Sequence, residues 1–219
     1  MAIFNRQRRG LSNNSNTRYK KALNDYERTL SQRNSLLKKD NTNREDFFPW
    51  NVRLSHLGGN IVSGRTQLIN EINRYLSDYY KQLSKKNENI QLKYLTTINL
   101  HKYESDLLKR LEENYQLDRM RGFTTSGPHR DDMTVLIDQK PAISVASRGE
   151  VRSVVVALKF IEALLIDKQS EARPIVLLDD VFSELDKDRV MLLSNFLNNY
   201  QAIITTTNAT TTQGLKTRH

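Results

Sequence analysis

The segment Pro174-Ile175-Val176-Leu177-Leu178-Asp179-Asp180-Val181-Phe182-Ser183-Glu184-Leu185-Asp186 constrains the fold more than any other part of the chain. An apolar run of strand length ends in two adjacent carboxylates, and a further acid, Asp186, follows a short turn. Apolar residues at consecutive positions fill both faces of a strand. The run therefore predicts a central strand of a parallel sheet with helices on each side. Acids at the carboxyl tip of such a strand lie at the sheet edge, where phosphate ligands and Mg²⁺ bind. There Asp179 would hold Mg²⁺ through its water shell, and Asp180 would orient or deprotonate an attacking water. The same residues also fit a strand that ends in a solvated acidic loop, and on this segment alone the two readings are even.

A second element precedes it. Ser147-Arg148-Gly149-Glu150 is followed by Val151, Val154, Val155, Leu158, Ile161 and Leu165 at helical spacing. Ser147 and Glu150 form an S-x-x-E capping box, which by itself is more often a helix cap and nothing more. Gly149 in the first turn adds to it. Without a Cβ it lets a phosphate approach the N–H groups of the helix start, which favour anions. A Ser-x-Gly-Glu helix start, a strand ending in two acids and then Ser183-Glu184-Leu185-Asp186 resembles the signature, Walker B and D-loop of ABC-type ATPases.

Other segments narrow the resemblance. Gly127-Pro128-His129-Arg130-Asp131-Asp132 stands before the signature, Ala202-Ile203-Ile204-Thr205-Thr206-Thr207 stands after Walker B, and Leu30 to Lys38 lies upstream. In this order they resemble the bacterial RecF family of SMC-like DNA replication and repair proteins, from about Arg8 to Thr207. The resemblance implies an α/β fold: a helical, coiled-coil-like arm plus a partial ABC-type ATPase lobe with a mostly parallel sheet. It implies ATP and Mg²⁺ as cofactors and ATP-dependent dimerisation. It further implies binding of single-stranded or gapped DNA, RecO- and RecR-type partners, and a cytoplasmic role in recombination and SOS-linked repair. Carried over by position, Ser147, Gly149 and Glu150 would face the nucleotide held by an opposite protomer. Asp179 would serve Mg²⁺ and Asp180 the water. Ser183 and Asp186 would bridge the dimer at the nucleotide, and Thr207 would be the switch residue.

The chain departs from that family in one respect. The resemblance begins almost at Met1, near the entry to the arm, and no segment corresponds to the N-terminal lobe with its P-loop. The expectation is a truncated form with half a nucleotide site, completed by a separate P-loop lobe or a homodimer partner. Two alternatives remain: a non-enzymatic DNA-binding remnant, or an SMC-like ABC ATPase fragment outside the repair family. The short arm and the GPHRDD segment weigh against the second. One segment imitates a P-loop: Gly59-Asn60-Ile61-Val62-Ser63-Gly64-Arg65-Thr66 reads G-x-x-x-x-G-R-T. A P-loop needs a buried strand before it. Here Leu54, Leu57, Ile61, Leu68, Ile72, Tyr75 and Tyr79 continue at helical spacing straight through the glycines, which predicts one long helix.

Charge separates the chain into halves. Residues 1–122 carry 23 Lys/Arg and 13 Asp/Glu, whereas residues 123–219 carry 11 and 12. The excess of +9 therefore lies wholly in the first half. A basic face is the footprint of phosphate-backbone binding, and equally the mark of a solvated helical surface. The absence of cysteine excludes disulfides, thiol catalysis and Cys-zinc sites. No apolar run reaches bilayer length.

The expected organisation is a flexible basic stretch over 1–17, a helical arm over 18–120, the signature/Walker B lobe over 121–207 and a polar tail over 208–219. Within the arm, Tyr19, Leu23, Tyr26, Leu30 and Leu37 form a heptad-like stripe. A second helix runs from about Trp50 to Leu83, a short strand follows at Ile90–Tyr94, and a third helix spans Leu100–Tyr115. Strands are expected at Phe123–Thr125, Met133–Ile137 and Ala202–Thr206, with a helix from Asp186 to about Asn199. His129 and Arg130 either lie near nucleotide or DNA, or fix their own loop, with Arg130 paired to Asp131 or Asp132. His56, His101 and His219 lack metal-ligand spacing.

Overall fold

The computed structural model describes residues 14–169, 173–179 and 187–205. The fold is α/β and mostly helical. Helix α1 (Asn14–Leu37) leads through a 3₁₀ turn (Arg44–Phe47) into α2 (Phe48–Ser84), a helix of 37 residues. Pro49 falls in the first turn of α2, where its missing N–H has no helical acceptor to lose. Strand β1 (Ile90–Leu95) alternates buried and exposed residues, as its sequence predicts. Then come a 3₁₀ turn (Leu100–Lys102), α3 (Tyr103–Glu113), α4 (Tyr115–Arg121), β2 (Asp132–Ile137), β3 (Lys140–Pro141) and the single turn α5 (Ala142–Val145). Helix α6 (Arg148–Gln169), β4 (Ile175–Asp179), α7 (Lys187–Leu197) and β5 (Gln201–Thr205) complete it.

The P-loop imitation lies inside α2, and its second glycine has a packing role. A Cβ on Gly64 would sit 2.7 Å from Cδ2 of Tyr19 on α1, so glycine is what admits the Tyr19 ring in this position. The expected strand at Phe123–Thr125 is not formed. Its backbone donors go to side chains instead: Thr124 N–H to Asn34 Oδ1 at 2.8 Å and Thr125 N–H to Asp118 Oδ1 at 2.9 Å. Side-chain acceptors from α1 and α4 take the place of a sheet ladder here.

The chain forms two compact units. Within the described residues, one takes in the chain up to Glu71 together with Lys93–Thr134, and the other takes in Ile72–Leu92 and the chain from Val135. The core of the first holds Tyr26, Leu37, Phe47, Leu54, Ile61, Leu107 and Leu111, and at its centre a fully buried Arg33. The Arg33 guanidinium donates to Asn51 Oδ1 (2.7 Å), Asp118 Oδ2 (2.8 Å), Thr124 Oγ1 (2.7 Å) and the Leu111 carbonyl (3.5 Å). Asp118 is equally buried, and its other oxygen accepts the N–H and hydroxyl of Thr125. A buried ion pair is tolerated only when its remaining hydrogen-bonding capacity is filled in this way.

In the second unit the Phe160 and Phe196 rings stack at 4.0 Å, with Tyr79 edge-on to both. A three-stranded sheet has the order β1-β2-β3. Its β2–β3 hairpin turns through Asp138 and Gln139, both at positive φ. Strands β4 and β5 pair in parallel, from Ile175 opposite Gln201 to Asp179 opposite Thr205. Val176, Leu178, Ala202 and Ile204 form the half-buried face of this pair. The opposite face leaves Ile175 56%, Leu177 72% and Ile203 56% exposed. The sequence predicts helices on both faces of β4; among the described residues one face is open.

Replacing Arg33 with Met leaves Asp118 buried without its cation. Urea unfolding followed by circular dichroism should show a loss of about 3–5 kcal/mol, with part of it recovered in the Arg33→Met/Asp118→Leu double variant. Equal loss in the double variant would show that packing rather than the stranded charge dominates.

Candidate functional site

Three of the expected nucleotide-facing residues meet at the start of α6. The Glu150 N–H donates to Ser147 Oγ at 3.3 Å, and the Ser147 N–H donates to Glu150 Oε2 at 2.6 Å. The capping box is therefore closed in both directions. Gly149 sits half-buried between them, and its carbonyl accepts the Ser153 hydroxyl at 3.1 Å. A partner invisible to local patterning completes the arrangement. Lys86, in the turn after α2, donates Nζ to Glu150 Oε1 and lies 3.5 Å from Glu88 Oε1. The hydrogen bond from Lys86, with those from Ser147, holds the Glu150 carboxyl down at about 2. Glu150 is thus ionised at the positive end of α6, where a negative charge is favourable.

Asp179 ends β4 as expected. Its Oδ1 accepts the hydroxyl of Thr205, directly across the parallel register, at 2.5 Å. The other carboxylate oxygen suits a Mg²⁺ that keeps most of its own waters, which is how this ion binds beside one or two carboxylates. No group of three or more metal-ligating side chains occurs among the described residues. Asp180, Ser183, Asp186 and Thr207 lie outside the described residues.

The GPHRDD loop is tied down inside the first unit. His129 Nε2 donates to the Thr124 carbonyl at 3.1 Å, which leaves Nδ1 to accept the Tyr26 hydroxyl at 2.7 Å. The backbone of Gly127 takes φ 129°, and a Cβ there would lie 2.4 Å from the Tyr26 oxygen. Pro128 O accepts Arg65 Nη1 at 2.6 Å. Asp131 Oδ2 accepts both the Tyr94 (2.9 Å) and Tyr103 (2.7 Å) hydroxyls. Burial raises the pKa of all three tyrosines, with Asp131 adding to the effect, so they act as hydrogen-bond donors at neutral pH. Arg130 lies over the Phe123 ring, 4.8 Å from its centroid, and forms no ion pair with Asp131 or Asp132. His129 fixes its own loop, and Arg130, though exposed, donates Nη2 to the same Thr124 carbonyl at 3.4 Å. His56 lies exposed beside Glu104 at 3.2 Å.

No protein-family model matches the chain. Individual sequences do. The chain is 33% identical over 193 residues to the DNA replication and repair protein RecF of Clostridium perfringens (strain 13 / Type A), covering 88% of this chain and 54% of that protein. It is RecF-like. RecF of Clostridium novyi (strain NT) is 34% identical with the same coverage, and RecF of Agathobacter rectalis is 36% identical over 86% of this chain. Two solved structures share the fold. One is the recombination mediator protein RecF-ATP in the RecFOR pathway (TM-score 0.78, 28% identity), and the other is its RecF-ATPrS counterpart (TM-score 0.77, 27% identity). Both are covered over 54% of their length by 88% of this chain. The chain thus spans about half the length of the RecF proteins it matches.

Two measurements check the local geometry. Ser147→Ala removes the cap of α6 and should cost about 1 kcal/mol in denaturant unfolding, within a range of 0.5–2. Burial lowers the His129 pKa below its ordinary 6.5. The unfolded chain then binds more protons than the folded one as pH falls below 6.5, so stability declines with acidification through that window. His129→Gln should flatten this limb of a melting-temperature profile against pH. Glu150 contributes a second loss, between its ordinary 4.5 and about 2. An unchanged slope below 6.5 in the His129 variant would contradict the buried neutral imidazole.

Proposed function

We propose that the chain supplies the signature and Walker B half of a RecF-type ATP site, joined to a DNA-facing helical arm. The capped α6 start, with Gly149 between Ser147 and an ionised Glu150, is the observation that carries this. The cap takes the Ser147 and Glu150 N–H groups, so an anion at this 22-residue helix would meet the N–H groups of Arg148 and Gly149. The functional division follows the sequence: arm over 18–120, ATPase lobe over 121–207. ATP bound by a P-loop on another lobe or protomer would meet Ser147, Gly149 and Glu150. Asp179 would hold Mg²⁺ through water, Asp180 would position the attacking water, and Ser183, Asp186 and Thr207 would close the dimer side. The repair role, with RecO- and RecR-type partners, extends what the relatives' names say to this chain.

The open face of the β4/β5 pair supports the need for a partner. Parallel strands are normally covered on both faces, and Ile175, Leu177 and Ile203 are presented to solvent here. The second reading, a DNA-binding module without nucleotide chemistry, is favoured by the concentration of basic charge in residues 1–122.

The signature and Walker B residues by themselves lack the contacts of a P-loop, about three charge-assisted hydrogen bonds worth about 1.5–3 kcal/mol each. A site near ~1 μM weakens accordingly to about millimolar or beyond. Titration of the chain with labelled ATP and Mg²⁺ should show no micromolar binding. Adding a RecF N-terminal lobe in trans should restore binding and raise the melting temperature. Asp180→Asn in that complex should abolish turnover while nucleotide stays bound. A sharply melting monomer that gains nothing from the added lobe would leave the DNA-binding module as the better account.

A further inference from the structure

A broad groove in the first unit is built from β1, α3, α4 and the loop from Thr125 to Asp132, and has a volume of about 740 Å³. Four cations line it: Lys93, Arg110, Arg121 and Arg130. They come from four separate segments, so sequence periodicity does not group them. Lys93, Arg121 and Arg130 are exposed. Lys93 and Arg121 form no ion pair among the described residues, and Arg110 and Arg130 spend their contacts on neutral groups, the Thr97 hydroxyl and the Phe123 ring. The two acids in the lining form no ion pair with them among the described residues. Asp131 is engaged by two tyrosine hydroxyls, and Asp132 accepts the N–H of Met133. Between the cations stand neutral polar groups, Asn114 donating to the Ser126 hydroxyl at 3.0 Å among them.

We propose that this groove binds the phosphodiester backbone of DNA, a site that deepens the DNA-facing reading above and rests on it. Guanidinium forks match phosphate oxygens in pairs, and three of the four cations are arginines. The hydroxyls and amide between them can donate to further phosphate oxygens without selecting a base. The basic excess of residues 1–122 carries the same sign of charge over the half of the chain that holds most of the groove. That favours a polyanion longer than the groove over a short acidic peptide.

The test uses the whole chain and fluorescence anisotropy with a labelled oligo(dT) strand and a labelled duplex of equal length. Lys93→Gln/Arg121→Gln should weaken binding at least about tenfold, the loss of one or more charge-assisted contacts. Its plot of log affinity against log salt should also flatten, by about 1.4 for the strand or about 1.8 for the duplex, and the larger change identifies the form bound. Arg28→Gln/Arg53→Gln removes two exposed cations outside the groove and should leave both quantities near wild type. Melting temperatures verify that both variants fold. Equal losses in the two variants would overturn the groove and leave a diffuse basic surface, with DNA binding itself intact. No binding by the wild type would remove the DNA reading as well. Displacement of the strand by polyglutamate at equal charge concentration would reassign the groove to an acidic polypeptide.

Discussion

Arg33 donates to Asn51, Asp118, Thr124 and the carbonyl of Leu111, and these groups belong to four different segments of the first unit. Burying a guanidinium is costly unless its donors are satisfied, so every segment must arrive in place for the arrangement to be stable. Asp118 extends the network to Thr125, and Thr124 passes it to Asn34. That explains why the stretch before the GPHRDD loop is neither helix nor strand. Its backbone is already committed to side chains. The loop that follows inherits a fixed starting point, and His129, Gly127 and Asp131 close on Tyr26, Tyr94 and Tyr103 from there.

The second unit handles charge differently. Glu150 is shared between the α6 start and Lys86, so the acid that caps the helix is itself held from outside the helix. The β4/β5 pair is unfinished by comparison, with a ladder in full register beneath an uncovered apolar face. The helix start is thus tied by bonds from two segments, whereas the strand pair leaves one apolar face open.

Much of this was legible in the sequence because it rests on local periodicity. The stripe of α1, the long α2, the alternation of β1, the capping box of α6 and the apolar run of β4 each declare themselves within a few residues. What escaped had long-range causes. Phe123–Thr125 has strand composition, but Asn34 and Asp118 take its donors from elsewhere in the chain. The break between α3 and α4 falls at Asn114, inside an apolar pattern that reads as one helix. Lys86 on Glu150, Arg33 on Asp118 and the four cations of the groove are separated in sequence, and no spacing rule links them. The open face of β4 was hidden for the opposite reason, since an apolar run reports what a strand is suited to face rather than what covers it.

Gly64 and Tyr19 carry a lesson about inheritance. An aromatic edge lies where any side chain on the facing helix would have to go. A larger residue at 64 requires the Tyr19 ring to move aside or to give way to a smaller side chain, so the two positions are coupled in descendants of this sequence. A glycine retained for that purpose preserves a phosphate-loop look-alike in the middle of a helix. Lineages that lose the bulk at 19 are then the ones free to lose the false motif.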